Sequence, residues 1–248
     1  DISAWTVGNG QSFALMFLNA DAFNQPIGSW DMHSAINLEQ MFYQNDNFDQ
    51  DLSAWDVSNV TNMRSLFRET GHYNHSIQAW HPSSAVWVHA MFMSAQAYNQ
   101  PLVEDPNGIG WTAASFQDMS YMFAYTPIFN QEISSWDTSS ATDMSHMFEG
   151  SYEYDQPMVS TPGHWNTGSV TNMNGMFAWS HKFNQNISSW DTSQVVWMAD
   201  MFRDSQMFDQ PLVSTPGHWN TGNVRSMERM FWGALMFNQD LNTWDTSN

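Results

Sequence analysis

The stretch Phe48-Asp49-Gln50-Asp51-Leu52-Ser53-Ala54-Trp55-Asp56-Val57-Ser58-Asn59-Val60-Thr61-Asn62-Met63-Arg64-Ser65-Leu66-Phe67 is the unit from which the 248-residue chain is built. Its Trp recurs at positions 5, 30, 55, 80, 111, 136, 165, 190, 219 and 244. Eleven residues after each of the first nine Trp stands Met, or Leu66 once, and Phe follows it every time, from Met16-Phe17 to Met230-Phe231. Seven residues beyond that Met comes Phe or Tyr, then Asn or Asp, then Gln, as in Phe23-Asn24-Gln25 and Tyr154-Asp155-Gln156; His75 alone breaks the Gln column. A fixed internal offset kept over nine registers is the signature of stacked repeats, in which equivalent residues become neighbours in space.

All variation in length falls at one phase. The step from the Phe/Tyr to the next Trp is normally seven residues, but 13 from Tyr98 to Trp111, and 11 from Tyr154 to Trp165 and from Phe208 to Trp219. Insertions tolerated at one phase are surface loops on one edge of a stack. The loops are 103–110, with Glu104 and Asp105, and the near-duplicates 159–164 and 213–218, which end in His164 and His218. Two readings of them stay open, a periodic contact surface and drift at a tolerant place.

Within a unit, apolar residues at the fifth, eighth, eleventh and twelfth positions after Trp (Val60, Met63, Leu66, Phe67) have the three-to-four spacing of one helical face. Ser58 and Asn59 stand where a cap belongs. The stretch from Phe129 to Trp136 reads as extended, ending in a turn at Asp137-Thr138-Ser139. The expectation is therefore an α/β repeat solenoid of about ten coils, each a short strand plus a short helical turn. It forms one domain over residues 1–248 that opens and stops mid-coil. Neither end looks like a polar cap, so further chain or neighbouring subunits are expected to cover them.

Composition limits the partners. The chain carries 25 acidic and 6 basic residues, a net charge of −19, so no nucleic acid is expected, because phosphate binding needs clustered Lys and Arg. Without Cys there is no disulfide framework or thiolate metal site. No run approaches the ~18 apolar residues of a membrane span, so no membrane insertion is expected. Trp, Phe and Met number 14, 17 and 19, enough large apolar side chains to fill a core of fixed columns.

The motif Phe-Asn-Gln-x-Leu-x-x-Trp-Asp-Val-Ser-Asn-Val-Thr-x-Met-x-x-Met-Phe, matched nearly letter for letter by Phe48 to Phe67, closely resembles the BspA-like surface-protein repeat, a divergent relative of leucine-rich repeats. The resemblance covers the whole chain apart from the three lengthened loops. It implies a leucine-rich-repeat-like right-handed stack, secretion or surface display, and adhesion or recognition as the activity. It implies no catalytic residue.

Candidate sites are weighed column by column. The Asn/Asp-Gln column suits an internal ladder of amides rather than a binding face. The residue after each Trp (Asp31, Asp56, Asp137, Asn166, Asp191, Asn220, Asp245 among them) suits Asx turns. A calcium ladder is the rival, but the Asp–Asn alternation in the second half spreads the charges apart. His72, His75 and His81 share a coil without ligand spacing, and no nucleophile elbow, His-Glu-x-x-His or phosphate loop appears. No enzyme, metal or cofactor is expected. The informative residues are large aromatics in columns that are otherwise polar: Tyr43, Trp87, Tyr125, Trp179, Trp197 and Trp232. Exposed rings stack on sugars or anchor protein partners; contact with an adjoining domain or subunit, or filling between loops, is the equal alternative.

These readings converge on a non-enzymatic extracellular or cell-surface recognition module whose partner is a protein or glycan. The alternative is a structural subunit of a filament or sheath that stacks on copies of itself. A third reading, ice or mineral binding, would use the row Thr138, Thr167, Thr192, Thr221 and Thr246. Sequons stand at Asn59, Asn74 and Asn186.

Overall fold

The computed structural model describes residues 2–104, 107, 110–158, 164–213 and 219–247. Over these residues the chain winds into successive coils joined by parallel bridges that run from Ser12 through Asn37, Asn62, Trp87, Asp118, Asp143, Asn172 and Trp197 to Ser226. Every bridging residue is the seventh after a repeat Trp, so the register of the sequence is the register of the stack. The coils of Trp136 and Trp165 are adjacent despite the inserted loop, with Asp143 bridged to Asn172 and the Phe148 and Phe177 rings 5.7 Å apart.

The expected α/β solenoid, leucine-rich-repeat-like with a strand and a helical turn per coil, is not what forms. Among the described residues there is no helix, and strand pairing is reduced to single-residue bridges. The reason lies in the backbone at the tenth and fourteenth positions after each Trp. Fifteen non-glycine residues there have positive φ, including Ser65 (51°), Glu69 (57°), Tyr121 (56°) and Trp179 (56°), and Gly150, Gly175 and Gly233 complete the two columns. A helix needs an unbroken run of negative φ, so two left-handed residues four apart abolish it.

What replaces the helix is a run of turns. Leu66 N–H donates to Met63 O, Arg68 N–H to Ser65 O and Thr70 N–H to Phe67 O, each closing a turn inside the coil. The residues between them donate along the stack instead: Met63 N–H to Trp87 O, Ser65 to His89 O, Phe67 to Met91 O and Glu69 to Met93 O, at 2.8–2.9 Å. Each left-handed residue from Leu15 to Asp204 thus turns its N–H onto the next coil. A left-handed L-residue costs about 1–2 kcal/mol, and the inter-coil bond offsets that cost by satisfying an N–H that would otherwise be buried without a partner.

The Phe-to-Trp half, expected to be a strand, is held by side chains. Asn24 Oδ1 accepts from Asp49 N–H (3.0 Å) and Gln50 Nε2 (2.8 Å), and the same pair of bonds recurs at Asn74, Asn99, Asn130, Asp155, Asn184 and Asp209. His75 serves in place of Gln, its Nε2 3.2 Å from Asp49 O. The amide ladder expected from the sequence is present, but it lies at the half-exposed surface rather than inside.

The interior is columnar. Phe42 stacks on Phe48 at 4.0 Å within its coil and on Phe67 at 5.8 Å in the next. Trp55, Trp80, Trp136 and Trp190 donate their indole N–H to the carbonyls of Ile27, Leu52, Leu102 and Met158 in the preceding coil. Trp111, Trp165 and Trp219, the first Trp after each inserted loop, are buried with no partner for that N–H among the described residues. Their rings lie 28–34° out of plane with the next Trp, against 4° for Trp55–Trp80. Among the described residues, three indole N–H bonds are therefore missing at the coils that follow an insertion.

Candidate functional site

The bridge column fixes Trp87 and Trp197. Val86 and Trp87 N–H both donate to Thr61 O, and Met63 N–H donates to Trp87 O; Val196, Trp197 and Met173 repeat this with Thr171. The flanking Val88 and Met198 are buried, so the bridging residue faces out, and Trp87 and Trp197 stay 40% and 44% exposed. They stand four coils apart on one column, about 19 Å at ~4.8 Å per step, and are not brought into contact.

The other aromatics lie farther round the same turn-rich half of the coil, and most are covered by arginine. Arg68 stands 4.8 Å over the Tyr43 ring, and Arg64 lies 5.0 Å over Trp87 and 4.0 Å from Asp118. Arg203 is held between Trp179 (4.8 Å) and Trp232 (4.7 Å), within 3.8 Å of Asp200 and 3.5 Å of Asp204. Trp179 Nε1 donates to Asp204 Oδ2 at 2.8 Å. Such contacts are worth about 0.5–1 kcal/mol at exposed sites and more where water is excluded. The sequence reading missed these arginines. The available signal was that three of only six basic residues fall in columns that neighbour the aromatics.

Tyr125 donates its hydroxyl to the buried Glu149 at 2.7 Å. Burial first, and then that bond, raise the Tyr125 pKa above the usual phenol range. Gly150 backs onto the same ring: a Cβ there would come within 2.6 Å of it. The Tyr125 hydroxyl is therefore committed to the fold, and its face is half-exposed.

Of the loop candidates, Asp105 and His218 lie outside the described residues. Glu104 is a brace. Its carboxylate accepts from Thr112 Oγ1 (2.7 Å) and from Asp137 N–H (2.9 Å) in the next coil. His164 is exposed, with Nδ1 3.2 Å from Ser135 O.

Two further columns have structural roles. Asp31, Asp56, Asp137, Asn166, Asp191, Asn220 and Asp245 each accept from the N–H two residues on, which is the Asx turn. The Thr138, Thr167, Thr192 and Thr221 row is buried, its hydroxyls donating to Asn166, Asp191, Asn220 and Asp245 carbonyls. That removes the threonine face the ice- or mineral-binding reading would use, because of its five members only the last, Thr246, is exposed.

The periodic columns also place the chain among known sequences. No helix of the described residues is long and apolar enough to cross a membrane. Comparison with curated proteins and with solved structures gives no match. A model of repeat-containing sequences matches over the whole length, in three successive segments at residues 1–105, 103–161 and 158–248. The chain therefore belongs to the family described as Mycoplasma protein of unknown function, DUF285.

Proposed function

We propose that this chain is a non-enzymatic recognition module displayed outside the cell, and that its ligand, a glycan or a protein, lies along the bridge column. The observation that carries the reading is the pair Trp87 and Trp197, two large rings held out to solvent by a hydrogen-bonded backbone in a column whose other members are Ser, Asn and Asp. A rigid exposed indole supplies contact area at little entropic cost. The resemblance of Phe48–Phe67 to BspA-like surface repeats supports display and adhesion. Screening the chain on glycan and protein arrays, beside Trp87→Ala and Trp197→Ala, tests it. Binding that either substitution weakens about tenfold or more supports the reading. Binding that ignores both, or no binding on either array, sinks it.

A second reading is a structural subunit built by coil stacking, supported by the unbroken column of parallel bridges through which each coil pairs with the next from Ser12 to Ser226. Sedimentation over a range of concentrations separates the two readings: growing oligomers favour assembly, and a monomer at every concentration excludes it.

A further inference from the structure

Two open clefts on the stack have opposite chemistry. One, of about 350 Å³, is lined by Asn19, Asp21, Gln44, Asp46 and Glu69 and carries three carboxylates. The other, of about 540 Å³, lies between the coils of Trp190 and Trp219 and is lined by Gln194, Val196, Asn223 and Arg225, with no acidic residue among the described lining. In a chain of net charge −19, a cleft with a cation and no carboxylate is out of character.

Arg225 differs from the other basic residues. Arg64, Arg68, Lys182, Arg203 and Arg229 each lie within ion-pair reach of a carboxylate. Arg225 has no such partner among the described residues, although its backbone is fixed by donation from its N–H to Val196 O at 2.9 Å. The cleft falls where two columns depart from habit. Gln194 stands where other coils have Ser or Asn, and Arg225 where they have Gln, Ile, Thr or Val. Asn223 is tied through Nδ2 to Ser193 O at 2.6 Å. The exposed Trp197 follows Val196 in the chain and bridges to Ser226, the residue after Arg225, so ring and guanidinium belong to adjacent coils at nearly the same register.

We propose that this cleft binds a short acidic saccharide, with Arg225 holding its carboxylate. A guanidinium presents a planar fork that matches a carboxylate bidentately. The Gln194 and Asn223 amides are the donors and acceptors that sugar hydroxyls need, and the exposed Trp197 ring, beside the cleft and not among its lining residues, offers a face to a pyranose that extends out of it. The volume is in the range of small-ligand sites. Long polyanions are repelled by the rest of the surface, so the ligand is a terminal or short acidic unit. The inference rests on the recognition reading above and narrows it to one cleft.

The test is titration calorimetry of the whole chain with two sources of the same chemistry, trigalacturonic acid and 3′-sialyllactose. Carboxyl-reduced trigalacturonate and lactose serve as neutral counterparts, and triglutamate as an acidic peptide. The expected result is binding of at least one acidic saccharide, at least tenfold weaker for its neutral counterpart. Arg225→Gln is expected to lose about tenfold or more, Trp197→Ala to weaken binding, and Lys182→Gln, which removes an exposed cation elsewhere on the stack, to leave it unchanged, all with unaltered melting curves. Equal binding of acidic and neutral forms, indifference to Arg225→Gln, or equal binding of triglutamate overturns the proposal. If neutral glycans or proteins bind through Trp87 while the acidic saccharides do not, this cleft assignment falls and the recognition reading stands. If nothing binds, both fall.

Discussion

At the scale of single residues, the fold depends on backbone positions that do not welcome their occupants. Ser94 has φ of 59° and sends its N–H to Ala124 O at 2.8 Å, with its side chain half-exposed. Glycine enters that region freely, whereas a β-branched residue there is a genuine outlier. Ser94→Gly is expected to hold or raise the melting temperature, and Ser94→Val to cost about 2 kcal/mol or more in urea unfolding. Equal stability of the two variants would mean the left-handed geometry is not maintained in solution. Tyr98 makes the converse case. It is fully buried between Tyr73 and Phe129, and its hydroxyl has no partner among the described residues. Its column holds Phe in most other coils, so Tyr98→Phe removes an unsatisfied polar atom and keeps the ring. A gain of about 1 kcal/mol is expected, measured by chemical denaturation; a loss would reveal a partner for the hydroxyl.

At the scale of the coil, adjacent tryptophans provide an internal control. Trp190 donates its indole N–H to Met158 O at 2.7 Å, and the equally buried Trp165 donates to nothing described. Replacing either by Phe removes similar apolar area, but only Trp190→Phe strands a carbonyl. Trp190→Phe is expected to cost about 1–3 kcal/mol more than Trp165→Phe, again by denaturant titration. This scale also shows what the sequence could convey. Stacking register, core columns, Asx turns and the amide ladder were all legible, because each requires a particular side chain at a particular phase. The helix was misread because residues such as Val60, Met63 and Phe67 have a spacing that serves a helical face and a run of turns equally well. The deciding feature, positive φ at the tenth and fourteenth positions, leaves only a negative trace: neither column contains Val, Ile, Thr or Pro. The exposed rings were legible as large residues in polar columns, but their arginine covers and the Arg225 cleft join residues from different coils, which a scan for aromatics alone passes over.

At the scale of the whole molecule, the periodic columns multiply a few local equilibria into a stability profile with pH. On the acid side, Asp31, Asp51, Asp56, Asp209 and Asp245 have pKa values lowered below 3.8, chiefly by hydrogen bonds to the carboxylate: from side chains first for Asp31, Asp56, Asp209 and Asp245, and from the Ser53 backbone first for Asp51. A depressed carboxyl contributes stability above its unfolded pKa and loses it as pH falls through the folded value. His89 adds an earlier step. Its pKa is lowered from 6.5 by burial, reinforced by Arg64 and Arg68 and opposed by Asp118 and Asp143. It packs edge-on against Tyr121 and bonds to Ser120 Oγ through Nδ1. A histidine that resists its proton in the fold carries no penalty above 6.5 and destabilises the fold progressively as pH falls below it. On the alkaline side, burial holds the Tyr73, Tyr98 and Tyr154 hydroxyls neutral well past 10, so stability is kept below 10 and lost as pH rises beyond it. Relief of self-repulsion in a chain of charge −19 works the other way as acid is added, but it is a screened, long-range effect that salt removes. Melting temperature measured at moderate salt is therefore expected to plateau between about pH 7 and 10, with a first decline below 6.5 that His89→Gln abolishes and a steeper one below 3.8 that it leaves in place. If the His89→Gln profile keeps the first decline, the half-buried imidazole does not couple the stack to pH.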